Sequence, residues 1–355
     1  MTITSFEAWD HYVQEHGANP DHGPSDYGDI TAEYSRLRED VGIVEFSGRT
    51  KIEMTGSDRV RFLHNLCTND IQSLQVGYGC EAFVTSIQAR IVGHVLVFAT
   101  KDSLVINTVP AQYEKLSAHL DHFRIIDDIQ FHDRTQEWNE VLLSGPRAQA
   151  VLRELSYWPE DWSEPSLLEH QAIQIGTANG WLRKVNFTGC DDYLLSSPDR
   201  RLLVESLLKA GVNPVGTDAF EALRLEAGYA LYGPDISEAN FPQEIGRDGS
   251  TISFSKGCYL GQETVARLDA YGHVNKHLVS LTIDGEVCPE MSAPLFREDK
   301  EVGRLTSVAY SPEKGIVALG YVSRGNHEQN TKIRVGSLKN EVCTATVMAP
   351  STLSE

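Results

Sequence analysis

Apolar positions along this chain change period several times, and each change marks an element. Residues 1–29 follow no period; they are polar and rich in Gly, Pro, Asp and His, the texture of a flexible lead-in. From Glu33 to Ile43 the spacing is helical, with Gly42 placed to end the helix. Arg49 to Met54 alternates like a strand and Thr55-Gly56-Ser57 turns the chain. Ser57 is placed to cap a helix carrying Val60, Phe62, Leu63 and Leu66. From Phe83 to Asn107 the pattern is strand-like, with Lys101-Asp102 as a hairpin turn. A helix follows (Tyr113, Leu116, Leu120, Phe123), then a strand from Ile125-Ile126 to Phe131. Strand, helix, hairpin, helix, strand predicts an α+β layout with helices on one face of a mainly antiparallel sheet.

The motif restarts at Val141-Leu142-Leu143-Ser144-Gly145-Pro146, a strand running into a helix as Ile52 to Gly56 does, which reads as an internal duplication. Strands at about 171–176, 181–187 and 192–196 follow, then a helix near 199–210. Asp218 to Gly228 is a helix with a C-terminal glycine. From Leu278 to Val347 short alternating runs separated by Gly, Asp and Pro turns predict a small closed β domain. The expected division is a lead-in 1–29, a first α+β part 30–135, a second 136–275 and a β-barrel 276–355.

Composition narrows the function classes. At 355 residues the chain is long enough for two or three domains. A formal net charge of −19 repels phosphate backbones and anionic lipid, against a nucleic-acid or membrane binder. No apolar run approaches the roughly 20 residues of a membrane span, and the N-terminus lacks the pattern of a signal or transit peptide. Six scattered cysteines without C-x-x-C fit a reducing cytoplasm better than a disulfide framework or zinc site. Phosphate-loop, dinucleotide, zinc-protease and serine-elbow motifs are absent. His273 and His277 stand four apart but at the entry to a strand, so no metal site is assigned.

The densest chemistry is Lys256-Gly257-Cys258-Tyr259-Leu260-Gly261-Gln262-Glu263 with Arg267, a stretch without apolar periodicity. A helix opening after Gly261 would set Cys258 near its N-terminus, with Lys256 two residues away, and both favour a thiolate. The competing reading is a buried cysteine in a glycine turn. Arg224 and the tyrosines around Gly228 suit a flat polar ring bearing carboxylates, or Arg224 is simply an exposed helical charge.

Phe254 and Lys256 to Glu263, with Arg267 and on past Gly272 to Lys276, resemble the hallmark of YgfZ-type folate-binding proteins, which assist maturation or repair of iron–sulfur enzymes. Leu223 to Gly228 with Leu231-Tyr232-Gly233 and Asp235 resembles the glycine cleavage T-protein (GcvT), the aminomethyltransferase of the same superfamily. The resemblance spans about residues 30–340. It implies two ferredoxin-like folate-binding domains, interleaved in sequence, and a C-terminal β-barrel in a cloverleaf around tetrahydrofolate or a one-carbon derivative. It implies Cys258, Lys256 and Arg267 as working groups and Arg224, Tyr232, Asn107, Gln262 and Glu263 as folate contacts. Folate and iron–sulfur client or assembly proteins are the implied partners. Two departures bear on enzymatic activity. Gly93-His94 stands where the T-protein carries its acids, and Phe187-Thr188-Gly189-Cys190 replaces Tyr-Thr-Gly-Glu. A carboxylate can help proton movement at the folate amine and glycine cannot. The expectation is therefore an accessory protein working through Cys258, with a tetrahydrofolate-dependent aminomethyltransferase or demethylase as the alternative.

Overall fold

The computed structural model describes residues 3–19, 22–156, 164–336 and 341–349. The chain forms two compact units: Met1–Leu63, Ile71–Cys80 and Val95–Phe220 make one, and His64–Asp70, Glu81–His94 and Glu221–Glu355 the other.

The duplication read from Val141 is visible in the strand order. One sheet runs Gly79–Thr85, Ile91–Ala99, Leu104–Pro110, Arg49–Thr55, Gln130–Asp133 across its width. The other runs His170–Ile175, Ala178–Val185, Asp192–Ser197, Asn139–Ser144, Gly42–Glu45, Asn213–Pro214. In each, the first strand of the repeat (Arg49–Thr55 or Asn139–Ser144) inserts beside the third member of the following meander. The place held by Gln130–Asp133 in the first sheet is taken in the second by Gly42–Glu45, which precedes both repeats in sequence. That strand pairs antiparallel with Asn139–Ser144 and parallel with Asn213–Pro214, so the second sheet is mixed and the repeats interleave.

The repeats share a steric device. Gly56 and Gly145 follow their strands with φ of 104° and 128°. A Cβ would stand 2.1 Å from the Asp128 carbonyl oxygen in the first and 2.3 Å from that of Asp40 in the second. Two residues on, the Asp58 and Arg147 N–H groups donate to those same carbonyls, at 3.2 and 3.1 Å. Only a residue without a side chain lets the chain pass that close.

Four local expectations are corrected. The early helix is Ile30–Glu39, capped by Asp29, whose carboxylate accepts from the Ala32 N–H; Gly42 and Ile43 belong to the interleaving strand. Ser57 is not a helix cap, because its hydroxyl donates to the Asp128 carboxylate at 2.8 Å. Ile125 and Ile126 are 88% and 91% exposed, and the strand there is Gln130–Asp133. Within the lead-in, Phe6–His16 is a helix whose Trp9 is fully buried and donates its indole N–H to the Tyr27 hydroxyl at 2.7 Å. Trp9 packs with Ile43, Leu143, Leu182 and Leu207 in one apolar core, and burial of that ring offsets the entropy of ordering the segment.

The second unit carries the helix Gln262–Tyr271 and a closed barrel. Its strands run Lys276–Ile283, Gly315–Ser323, Lys300–Ser311, Pro294–Arg297, Lys332–Gly336, Glu341–Val347 around the wall. Leu281, Leu295, Leu305, Ile316, Ile333 and Val335 fill it. The fold is α+β with mixed sheets and a six-stranded barrel. No helix among the described residues is long and apolar enough to cross a membrane.

Gly145→Ala is expected to cost about 2–4 kcal/mol, from a strained φ plus a backbone clash. Gly257→Ala, where a Cβ meets nothing within 4 Å, should stay within about 0.5 kcal/mol. Urea unfolding of both variants checks this; equal midpoints would show that the close approach relaxes freely.

Candidate functional site

The Cys258 motif is gripped on both sides and open in the middle. Lys256 is buried, and its ammonium donates to the carbonyls of His64 (2.5 Å), Cys67 (2.8 Å) and Asn69 (2.8 Å). Three N–H bonds meet three oxygens, and the charge also lies 4.8 Å from the centre of the Tyr259 ring. On the far side the Leu260 N–H donates to the Asn65 carbonyl and the Thr85 hydroxyl to the Leu260 carbonyl. Gly261 turns at φ 82°, where a Cβ would lie 2.7 Å from the Ser86 carbonyl oxygen. Tyr259 is buried with Ala89, Ile252 and Val265. Between these grips Gly257 and Cys258 are exposed.

This placement corrects two expectations for Cys258. It is not a buried turn cysteine, and Lys256 serves the 64–70 loop as a staple rather than the thiol as a counter-ion. The helix does open at Gln262, but the Gln262 and Thr264 N–H groups already donate to the Tyr259 and Gly261 carbonyls. Arg267 and Glu263 are exposed and Gln262 half-buried. The thiol that is buried is Cys67, whose pKa burial pushes up to about 11, against the partial pull of Lys256.

The residues offered for folate are committed elsewhere. Arg224 is buried and all five guanidinium donors are used. Nε and Nη2 donate to Glu221 (2.7 and 2.5 Å), Nη2 also to the Ser307 hydroxyl (3.0 Å), and Nη1 to the Tyr229 carbonyl (3.0 Å) and Asp235 (2.9 Å). Burial alone would lower its pKa, but Glu221 and Asp235 hold it above the ordinary arginine value. Asn107, in the other unit, is fully buried, accepting from Arg49 Nε and donating to Glu140, each at 2.8 Å. Tyr232 is buried in a backbone bridge to Ile236. With these bonds made, Arg224 has no guanidinium N–H left over, Asn107 has spent one amide N–H and one acceptor position, and Gly93 offers no carboxylate.

A carboxylate does stand next to Gly93-His94, on the neighbouring strand. Glu81, buried, accepts from Arg247 through both oxygens, at 2.9 Å from Nε and 2.6 Å from Nη2. Its Oε1 also lies 2.5 Å from His94 Nε2. Burial would raise its pKa, yet Arg247 and then His94 hold it well below the usual carboxylate range, so it stays an anion. Anionic Glu81 assigns the proton to His94 Nε2. The Arg247 guanidinium carbon lies 5.0 Å from the centre of the Tyr229 ring. The signal for Glu81 was a lone acid in the apolar run Gly79 to Thr85; nothing local announces Arg247, which is 166 residues away.

Lys256→Met is expected to destabilise the protein by about 3 kcal/mol, since charge-assisted bonds are lost and buried carbonyls left unmet. Iodoacetamide alkylation of Cys258 at neutral pH should change less than twofold. A counter-ion role predicts the opposite pair: ordinary stability and slowed alkylation.

Residues 7–256 match the family described as the GCVT N-terminal domain, and residues 276–352 the glycine cleavage T-protein C-terminal barrel domain. The chain is 27% identical to an aminomethyltransferase of Rippkaea orientalis over 359 residues, covering 98% of this chain and 92% of that one. It is 25% identical to an aminomethyltransferase of Listeria innocua over 331 residues, 92% and 91% of the two chains. The solved glycine cleavage system aminomethyltransferase T of Bartonella henselae shares the fold, with a TM-score of 0.81 at 19% identity over 100% of this chain and 99% of that one. With both its N-terminal domain and its barrel matched, this chain belongs to the glycine cleavage T-protein family.

Proposed function

We propose that this protein binds tetrahydrofolate or a one-carbon derivative and acts as an accessory protein in assembly or repair of iron–sulfur enzymes, with Cys258 as its working thiol. The observation that carries this reading is the presentation of Cys258: exposed, beside an exposed glycine, on a loop fixed by Lys256 before it and by Leu260 and Gly261 after it. A fold that needed Cys258 for packing would bury it, as it buries Cys67. One thiol cannot hold a cluster that takes about four, so Cys258 acts on a partner, as a transient ligand or by attacking a partner's disulfide, forming a mixed disulfide and releasing the partner's other sulfur as a thiolate. Folate binding rests on family membership. Arg224 would have to give up a bond it already makes to contact the folate, and no chemical step is assigned to it.

The second reading is aminomethyl transfer to tetrahydrofolate. It is favoured by the aminomethyltransferase names of the relatives and by Glu81, which returns a carboxylate beside the position that lacks one. One pair of experiments separates the two. In cells carrying Cys258→Ala at normal abundance, iron–sulfur dehydratase activity should fall several-fold; unchanged activity sinks the accessory reading. Purified wild-type protein with tetrahydrofolate and an aminomethyl-lipoyl donor should form no methylene-tetrahydrofolate. Turnover that survives Cys258→Ala and is lost in Glu81→Gln would establish the transferase instead.

A further inference from the structure

The barrel strand Lys276–Ile283 overhangs one of its two neighbours. On one side Gly315–Ser323 pairs with it along its whole length. On the other, Glu341–Val347 pairs only with Leu281, Thr282 and Ile283, and the Met348 N–H adds one bond to the Ser280 carbonyl at 2.9 Å. Among the described residues no strand pairs with Lys276–Val279 on that side. Main-chain groups of successive residues point to alternate sides of a strand. The Ser280 carbonyl faces the Glu341–Val347 side, so the N–H and C=O of Leu278 face it too. The Asn275 carbonyl accepts from the Arg324 N–H at 2.9 Å on the opposite side, which keeps the same alternation.

This overhang borders an open cleft of about 730 Å³. His277, Leu278, Val279 and Ser280 all line it. Side chains alternate between the two faces of a strand, so four lining residues in a row mean that the strand's edge borders the space. Met348 and Ala349 line it where the shorter strand stops.

We propose that this cleft binds an extended peptide segment of a partner protein, which pairs antiparallel with Leu278 and carries an aliphatic side chain opposite it. Along the open edge Leu278 offers one donor and one acceptor, the pattern that another extended backbone matches at both atoms. Leu281 and Ile283 fill the barrel, so Leu278 and Ser280, with Leu319 opposite Ser280, lie on its outer face. A peptide residue opposite Leu278 projects onto that face beside Leu278 and Met348, which favours an aliphatic side chain. Arg247 is neutralised by Glu81, and Lys276 lies 3.4 Å from Glu244, so neither cation calls for an acidic side chain there. The chain's own continuation does not supply this pairing. In the register that sets Leu281 against Val347, the residue opposite Leu278 is Pro350, which has no N–H to give the Leu278 carbonyl. A volume in the range of small-ligand clefts suits a short segment rather than a second folded domain.

The test is backbone amide NMR of the full chain with acetyl-Ser-Thr-Val-Thr-Ser-amide as probe. Two control peptides carry an N-methyl group on the valine nitrogen or aspartate in place of the valine. In the free protein the Leu278 N–H should exchange with solvent at least about tenfold faster than that of Val279, which faces Gly315–Ser323. The valine peptide should shift the Leu278 signal saturably and slow its exchange. Both controls should bind about tenfold more weakly, the first for want of one hydrogen bond and the second because it buries a charge. Leu278→Pro removes the donor on the open side alone and should abolish binding, and the N-methyl control gives the same answer without altering the protein. A Leu278 N–H already protected in the free chain overturns the proposal, because the edge is then occupied by the chain itself. So does protection that grows with protein concentration, which assigns the edge to a second copy. No saturable shift, or an N-methylated peptide binding as tightly as its parent, overturns it as well.

Discussion

A charge removed from water must find its complement inside the protein or it destabilises the fold by several kcal/mol, and much of this structure answers that demand. Three buried hubs show it. Glu140 gathers Arg49, Arg183, Asn107 and Ser196; Glu81 gathers Arg247 and His94; Arg224 gathers Glu221, Asp235, Ser307 and the Tyr229 carbonyl. Each hub is nearly saturated. Side chains whose chemistry suits ligand recognition are thus occupied inside their own unit, and a guanidinium with five bonds made has none left for a carboxylate from outside.

That saturation shifts the functional weight to what the fold holds but does not use. Lys256 illustrates the division: its ammonium ties three carbonyls of the 64–70 loop, and two residues later the thiol stands in solvent. The cation fixes where the backbone leaves the core. Gly93 brings no carboxylate to its strand, yet the anion of Glu81 lies within hydrogen-bond reach of His94 from the adjacent one. Whether a carboxylate serves chemistry depends on its partners as much as its presence, and Glu81 is clamped by a bidentate arginine.

How far the sequence carries depended on the range of the forces involved. The hairpin at Lys101-Asp102, the helix ended by Gly228, the helix opening after Gly261 and the barrel strands are set by local periodicity and glycine punctuation, and they stand as read. Gly42-Ile43 reads as a helix end, yet it is a strand, because its partners lie at 139–144 and 213–214 and four residues carry too little pattern to reveal that. Ile125-Ile126 shows that two β-branched residues do not make a strand without a neighbour to pair with. In the candidate site, the lack of apolar period leaves both a thiolate near a helix start and a buried turn cysteine open for Cys258, and its exposure comes only with the structure. The fates of Lys256 and Arg224 are likewise not local, since their acceptors lie far off in sequence or on main-chain oxygens.

The interleaving strand Gly42–Glu45 has a consequence for how the protein is made. Its antiparallel partner begins at Asn139, so on a ribosome adding about 5–20 residues per second it waits roughly 5–20 s before that partner emerges. Through that interval four consecutive residues, all buried in the finished protein, present unpaired backbone at the growing chain's surface. The first sheet can close meanwhile, because its own strands lie within 49–133. The second repeat thus completes its sheet with a strand synthesised before the first repeat began.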